Sequence, residues 1–215
     1  MDNNRIITTT ADHIRQKFAG EGSGHDWWHI HRVWKTAARI GEMEGADDFV
    51  VQLAALLHDI ADWKFHDGDD DAGPRQARQW LEGLEVTEPV IAHVCTIIKE
   101  LSFKGAGVPT PMSSLEGQVV QDADRLDAIG AIGIARAFAY GGHKNRELYN
   151  PDAPPVLHAS FEAYKSAKGT TVNHFYEKLL LLKDRMNTPA ARRMAEQRHA
   201  FMEDFLQRFF QEWGG

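Results

Sequence analysis

His58 and Asp59 stand side by side in LAALLHDIADWK, directly after a stretch apolar enough to form a buried helix. Taking a carboxylate out of water beside an imidazole is costly unless a cation or a strong partner offsets the desolvation. A metal ion is the economical explanation. His29, in HDWWHIHRV, and Asp124, in QDADRLDAIG, are two further candidate ligands. Imidazole and carboxylate donors together suit Mn, Fe, Co, Ni, Zn or Mg. Four protein ligands on an ion that prefers six leave places for a water and a substrate oxygen. Such a site can activate water and polarise a phosphoryl group. One divalent ion, manganese first among the candidates, is the expected cofactor.

The elements that must carry these residues read as helices, because apolar positions recur at helical rather than alternating spacing. A first helix is expected over Ile6–Phe18, ended by the glycines at 20, 22 and 24. A second starts near Asp26 and carries His29, Val33, Ala37 and Ile40 up to Gly41. Asp47 or Asp48 caps a third that bears Val51, Leu53, Leu57, His58 and Asp59. Adjacent helical residues project about 100° apart, so a metal must lie against that helix to meet both. Further helices are expected over Pro74–Leu81, Glu88–Leu101, Ser114–Asp127, Ala128–Tyr140 with a kink near Gly130, Thr171–Met186 and Pro189–Trp213. Glycine and proline make loops of Ser102–Ser113 and Gly141–Pro155. No segment reads as a strand. The expected fold is all-α, a compact helical bundle whose metal ligands come from separate helices.

Composition narrows the function. The 215 residues are 43% hydrophobic and contain no linker or repeat, so one domain over residues 1–215 is expected. Lys and Arg number 24 against 31 Asp and Glu, a formal charge of −7, which opposes binding to nucleic acid or an anionic membrane. Cys95 is the only cysteine and sits in the apolar run IAHVCTII, the setting of an inert core thiol. The start MDNNRIITTT has no signal-peptide character, and no stretch approaches a membrane span, so a cytoplasmic protein is expected. An amphipathic terminal helix permits a homodimer.

The pattern H…HD…D, with its flanks, resembles the HD-domain metal-dependent phosphohydrolases. GHDWWHIHRV, LLHDIADWKF, IIKELSFKG, QDADRLDAIGAIGIAR, NHFYEKLLLLKDRMNT and RHAFMEDFLQRF together are similar to a subgroup of small stand-alone bacterial HD proteins, over nearly the whole chain. The resemblance selects His29 over His25 and His31 by its HxxRV pattern, and Asp124 over Asp122 and Asp127 by its AD element. It also implies that Asp62, at the HDxxD position, assists hydrolysis alongside the metal-bearing Asp59. At i+4 from His58 and i+3 from Asp59, Asp62 could accept a proton from water or orient it. The substrate class implied is a nucleotide. A nucleoside triphosphate cleaved to monophosphate and pyrophosphate is favoured. The alternatives are a 5′-nucleotidase or phosphodiesterase, a two-metal HD oxygenase, and a non-catalytic nucleotide-binding module. No GYP-type signature marks the cyclic-dinucleotide branch. His66 and His93, the histidines between the HD pair and the last aspartate, do not form a two-metal pattern.

An anionic substrate in an acidic protein requires local cations. Lys64, Lys104 and Arg125 adjoin the motif residues and are the expected substrate contacts, with Lys99, Arg136, Lys144 and Arg146 on neighbouring elements. His174 and Lys178 share a helix face at i, i+4, for packing or substrate contact. Asp122 and Asp127 are expected to hold Arg125 or cap a helix, and the acidic run at Asp67, Asp69, Asp70 and Asp71 to be a solvated loop. Trp27, Trp28, Trp34 and Trp63 are read as core packing in preference to base stacking.

Overall fold

A computed structural model describes residues 2–20, 26–61, 69, 71–101, 110–156 and 169–214. Every regular element among them is helical. In chain order these are α1 (Asn3–Lys17), α2 (Trp27–Glu44), α3 (Asp48–Leu57), α4 (Ala72–Gly83), α5 (Glu88–Glu100), α6 (Leu115–Asp127), α7 (Gly130–His143), α8 (Thr171–Glu177) and α9 (Pro189–Gly214). Two 3-10 turns, Leu179–Leu181 and Lys183–Arg185, follow α8. The helices belong to two compact units. The first holds α1 to α5 and the start of α6, the second runs from Asp124 to the C-terminus, and the division falls inside α6.

In the first unit α3 is the central helix. Val50, Val51, Leu53, Ala54, Ala55, Leu56 and Leu57 are all buried, and a helix apolar on every side is a core helix. α1, α2 and α5 pack on it. Asp47 caps its start, accepting from the Phe49 and Val50 amides at 3.0 and 3.2 Å, which settles the choice between Asp47 and Asp48. Gly41 does not end α2. It lies inside the helix against Val51, and α2 continues to Glu44 before Gly45 turns the chain. α4 is tied to α5 by a two-pronged pair between Arg78 and Glu88, at 2.8 and 2.9 Å.

In the second unit α7 and α9 pack together, joined by α8. Phe138, Phe175, Phe205 and Phe209 meet with ring centroids 5.9–6.4 Å apart. The long helix expected from Thr171 is shorter: α8 stops at Glu177 because Lys178 leaves helical geometry at φ −143°, and two 3-10 turns replace the rest. A 3-10 turn eclipses residues i and i+3, which turns both Leu179 and Leu182 inward. α7 extends to His143, shortening the loop expected from Gly141. Among the described residues no helix is long and apolar enough to cross a membrane.

Candidate metal centre

The centre forms in the first unit where α3 ends and α2 begins. Asp26 caps α2, its Oδ1 accepting from the His29 amide at 2.8 Å, which places His29 in the first turn with a ring 1% exposed. The HD pair lies just beyond α3, not within it: His58 is the capping residue, and Ile60 N–H closes a three-residue turn onto the Leu57 carbonyl at 3.0 Å. His58 keeps helical geometry there, at φ −58° and ψ −35°, and both side chains reach one point lying against the end of the helix. His58 Nε2 lies 3.4 Å from His29 Nε2, and Asp59 Oδ2 lies 3.5 Å from each of those nitrogens. Among the described residues this is the one cluster of three such donors.

His58 Nδ1 lies 2.8 Å from the Ala55 carbonyl. A carbonyl can only accept, so Nδ1 carries a proton and Nε2 is the ring nitrogen that faces the cluster. A backbone carbonyl behind the imidazole is the usual way a protein fixes a ligand tautomer and orientation. The C-terminal end of α3 adds partial negative charge from its open carbonyls, which favours a cation there.

Two imidazole nitrogens and one carboxylate oxygen suit a borderline divalent ion. Three donor atoms 3.4–3.5 Å apart can all lie about 2.0–2.2 Å from one point, the usual length of a metal–nitrogen or metal–oxygen bond. The residues present therefore fit a divalent metal.

Comparison with known proteins accords with this geometry. A family model described as the HD domain matches residues 27–129. The Bacillus subtilis protein YpgQ is 43% identical over 195 residues, covering 90% of this chain and 86% of YpgQ. The chain belongs to the HD-domain family. A crystal structure of an HD-superfamily hydrolase from Bacillus thuringiensis shares 43% identity with a TM-score of 0.79, covering both chains completely. A crystal structure of YpgQ in complex with ADP matches with a TM-score of 0.74 at 40% identity, covering 94% of this HD protein and 97% of that chain.

The remaining predicted site residues are placed as follows. Asp124 is half-buried on α6, the first described residue of the second unit. Arg125 is buried, and its Nη1 donates to the Arg185 carbonyl. Asp62, Lys64 and Lys104, with Trp63, His66, Asp67 and Asp70, lie outside the described residues. Asp127 pairs with Arg136 at 2.7 Å, where Arg125 was one of the expected partners. Lys99 pairs with Asp71 at 3.0 Å, and Lys144 and Arg146 both approach the Tyr140 ring. Trp28 is 57% exposed, against the packing role expected of it; Trp34 donates to Gln52 at 2.8 Å. Cys95 is half-buried, directs its thiol at the Pro74 carbonyl, and is pushed up from its ordinary pKa by burial, as an inert thiol should be. The sequence marks the start of α2 near Asp26 without showing that it caps the turn of His29, and it does not reveal the Ala55 carbonyl. An Asp just before an amphipathic run was a readable cap signal, whereas a backbone carbonyl leaves none.

Proposed function

We propose that this HD protein is a divalent-metal-dependent phosphohydrolase, one catalytic domain that cleaves nucleoside triphosphates to the monophosphate and pyrophosphate. The observation that carries the reading is the triangle of His29, His58 and Asp59 donors with the His58 tautomer set by Ala55. The ADP complex of the relative YpgQ supports a nucleotide as the substrate class. His29, His58 and Asp59 hold the ion, and Asp124 is its fourth ligand on the family pattern. Bound there, a divalent ion supplies Lewis-acid polarisation of a phosphoryl oxygen and lowers the pKa of water.

The chain's own residues do the rest. Ala55 holds the His58 ring, and Asp26 caps the turn that carries His29. Asp59 contributes the negative charge of the triangle. Asp62 takes the proton from the attacking water. The water oxygen bonds to the α-phosphorus, the α–β bridging P–O bond breaks, and pyrophosphate leaves with the bridging oxygen. Lys64, Lys104 and Arg125 are the proposed cationic contacts to the phosphates.

The test is a panel of nucleoside mono-, di- and triphosphates with the Mn-supplemented protein, products resolved by ion-exchange chromatography. Monophosphate plus pyrophosphate from triphosphates is the expected result. Orthophosphate from monophosphates alone would make it a nucleotidase, and no turnover across the panel would refute nucleotide hydrolysis.

A further inference from the structure

α6 ends one turn after Asp124, and that last turn is held by guanidinium groups within the second unit. Arg198, on α9, donates from Nη1 to the Leu126 carbonyl. Arg136, on α7, donates to Asp127 Oδ2 at 2.7 Å and to the Asp127 carbonyl at 3.4 Å. The final carbonyls of a helix have no partner inside it, and positive groups there also complement the helix dipole. Asp127 has a side chain only 5% exposed, so its charge needs Arg136. Asp127 also opposes the lowering that burial imposes on Arg198.

The corner that follows is shaped to admit Arg198. Gly130 has φ +75°, a conformation open to glycine. A Cβ there would stand 3.0 Å from both Cβ and Cγ of Arg198 and 3.3 Å from its Cδ. Any side chain at 130 would displace the stem that carries the guanidinium to Leu126. At Gly133 a Cβ would overlap the Ala128 carbonyl, so the first turn of α7 lies against the end of the α6 corner. Two glycines and two arginines thus leave the turn bearing Asp124 little freedom. A metal ligand needs that, because binding tolerates only small errors in donor position.

We propose that Arg198 and Arg136 are positioning residues for Asp124, acting through the Leu126 carbonyl and Asp127 rather than by touching substrate. The proposal rests on the reading of Asp124 as a ligand.

The experiment measures Mn²⁺ affinity of the full chain by electron paramagnetic resonance at 15 °C, with circular dichroism establishing that each variant is folded at that temperature. Arg198→Met keeps the aliphatic stem and removes the donor; its Mn²⁺ Kd is expected to rise by up to about tenfold, the lower end of what losing a partner bonded to the ligand itself costs. Arg136→Lys keeps a charge beside Asp127 but loses the fork, and is expected to weaken binding by less. If Arg198→Met does not fold, Arg136→Lys decides the question. Folded variants with the wild-type Kd and a lowered melting temperature would overturn the positioning role while leaving the ligand reading intact, provided that Asp124→Asn weakens binding. Asp124→Asn with unaltered Mn²⁺ affinity would overturn the ligand reading and the positioning role with it.

Discussion

Asp59→Ala removes the one anionic donor of the triangle, and its consequence can be worked through to a melting curve. The Asp59 side chain is 17% exposed at the edge of the cluster, so truncation opens the site without hollowing the core. In Mn²⁺ at one hundred times its Kd, the wild-type protein gains about 2.7 kcal/mol, because only the folded chain holds the ion. For a chain of 215 residues, each kcal/mol moves the midpoint by about 2–4 °C, so the wild type should melt about 5–11 °C higher with metal than with chelator. Losing a direct charged ligand should cost at least the upper end of what an outer partner costs, about 100-fold in Kd. At the same Mn²⁺ concentration the variant then gains at most about 0.4 kcal/mol, or about 1–2 °C. The assay is differential scanning fluorimetry of both proteins in EDTA and in Mn²⁺, with the wild-type Kd fixed first by titration. A variant that keeps the full wild-type shift would refute the assignment of Asp59 as a ligand.

Three further outcomes follow from the same structure. Asp62→Asn should retain the Mn²⁺-induced melting shift but lose nucleotide turnover; normal turnover would remove Asp62 from the mechanism. Gly133→Ala should destabilise, although alanine is favoured over glycine within a helix by about 1 kcal/mol. The added Cβ would lie within 2.5 Å of the Ala128 carbonyl carbon, and overpacking against backbone costs about 1–3 kcal/mol or more. A melting point at or above wild type would show that the corner is slack. His174 is held neutral to a pKa of about 3 by burial and by the nearby Lys178 and Arg146 charges. Its ordinary value is 6.5, so its contribution to stability is complete above pH 6.5 and is lost as pH falls from there toward 3. The loss is up to about 1.4 kcal/mol per pH unit, and His174→Gln should flatten the fall in melting temperature between pH 6.5 and 5. Equal slopes in the two proteins would count against a buried neutral imidazole.

Helical class and most element positions were legible in the sequence, because a 3.6-residue apolar period and capping residues such as Asp26 and Asp47 are local signals. The misread boundaries are places where packing outweighed them. Gly41 reads as a stop yet serves as a contact between α2 and α3, and Leu179–Leu182 reads as helix yet turns inward as 3-10. The candidate ligands could be nominated by type, since few residue combinations make a desolvated carboxylate beside an imidazole tolerable. Their convergence could not. His29 and His58 are 29 residues apart, and only the packing of α2 on α3 brings their nitrogens to 3.4 Å. That His58 and Asp59 stand at the very end of α3 also depends on where the helix stops in its packed surroundings. Arg198 reaches Leu126 across 72 residues, and nothing near either position marks the partner. Residue types and spacing are local properties of the chain and specify what chemistry is available; distances between donors come from burial, which sums over the whole core and is decided only when the helices pack.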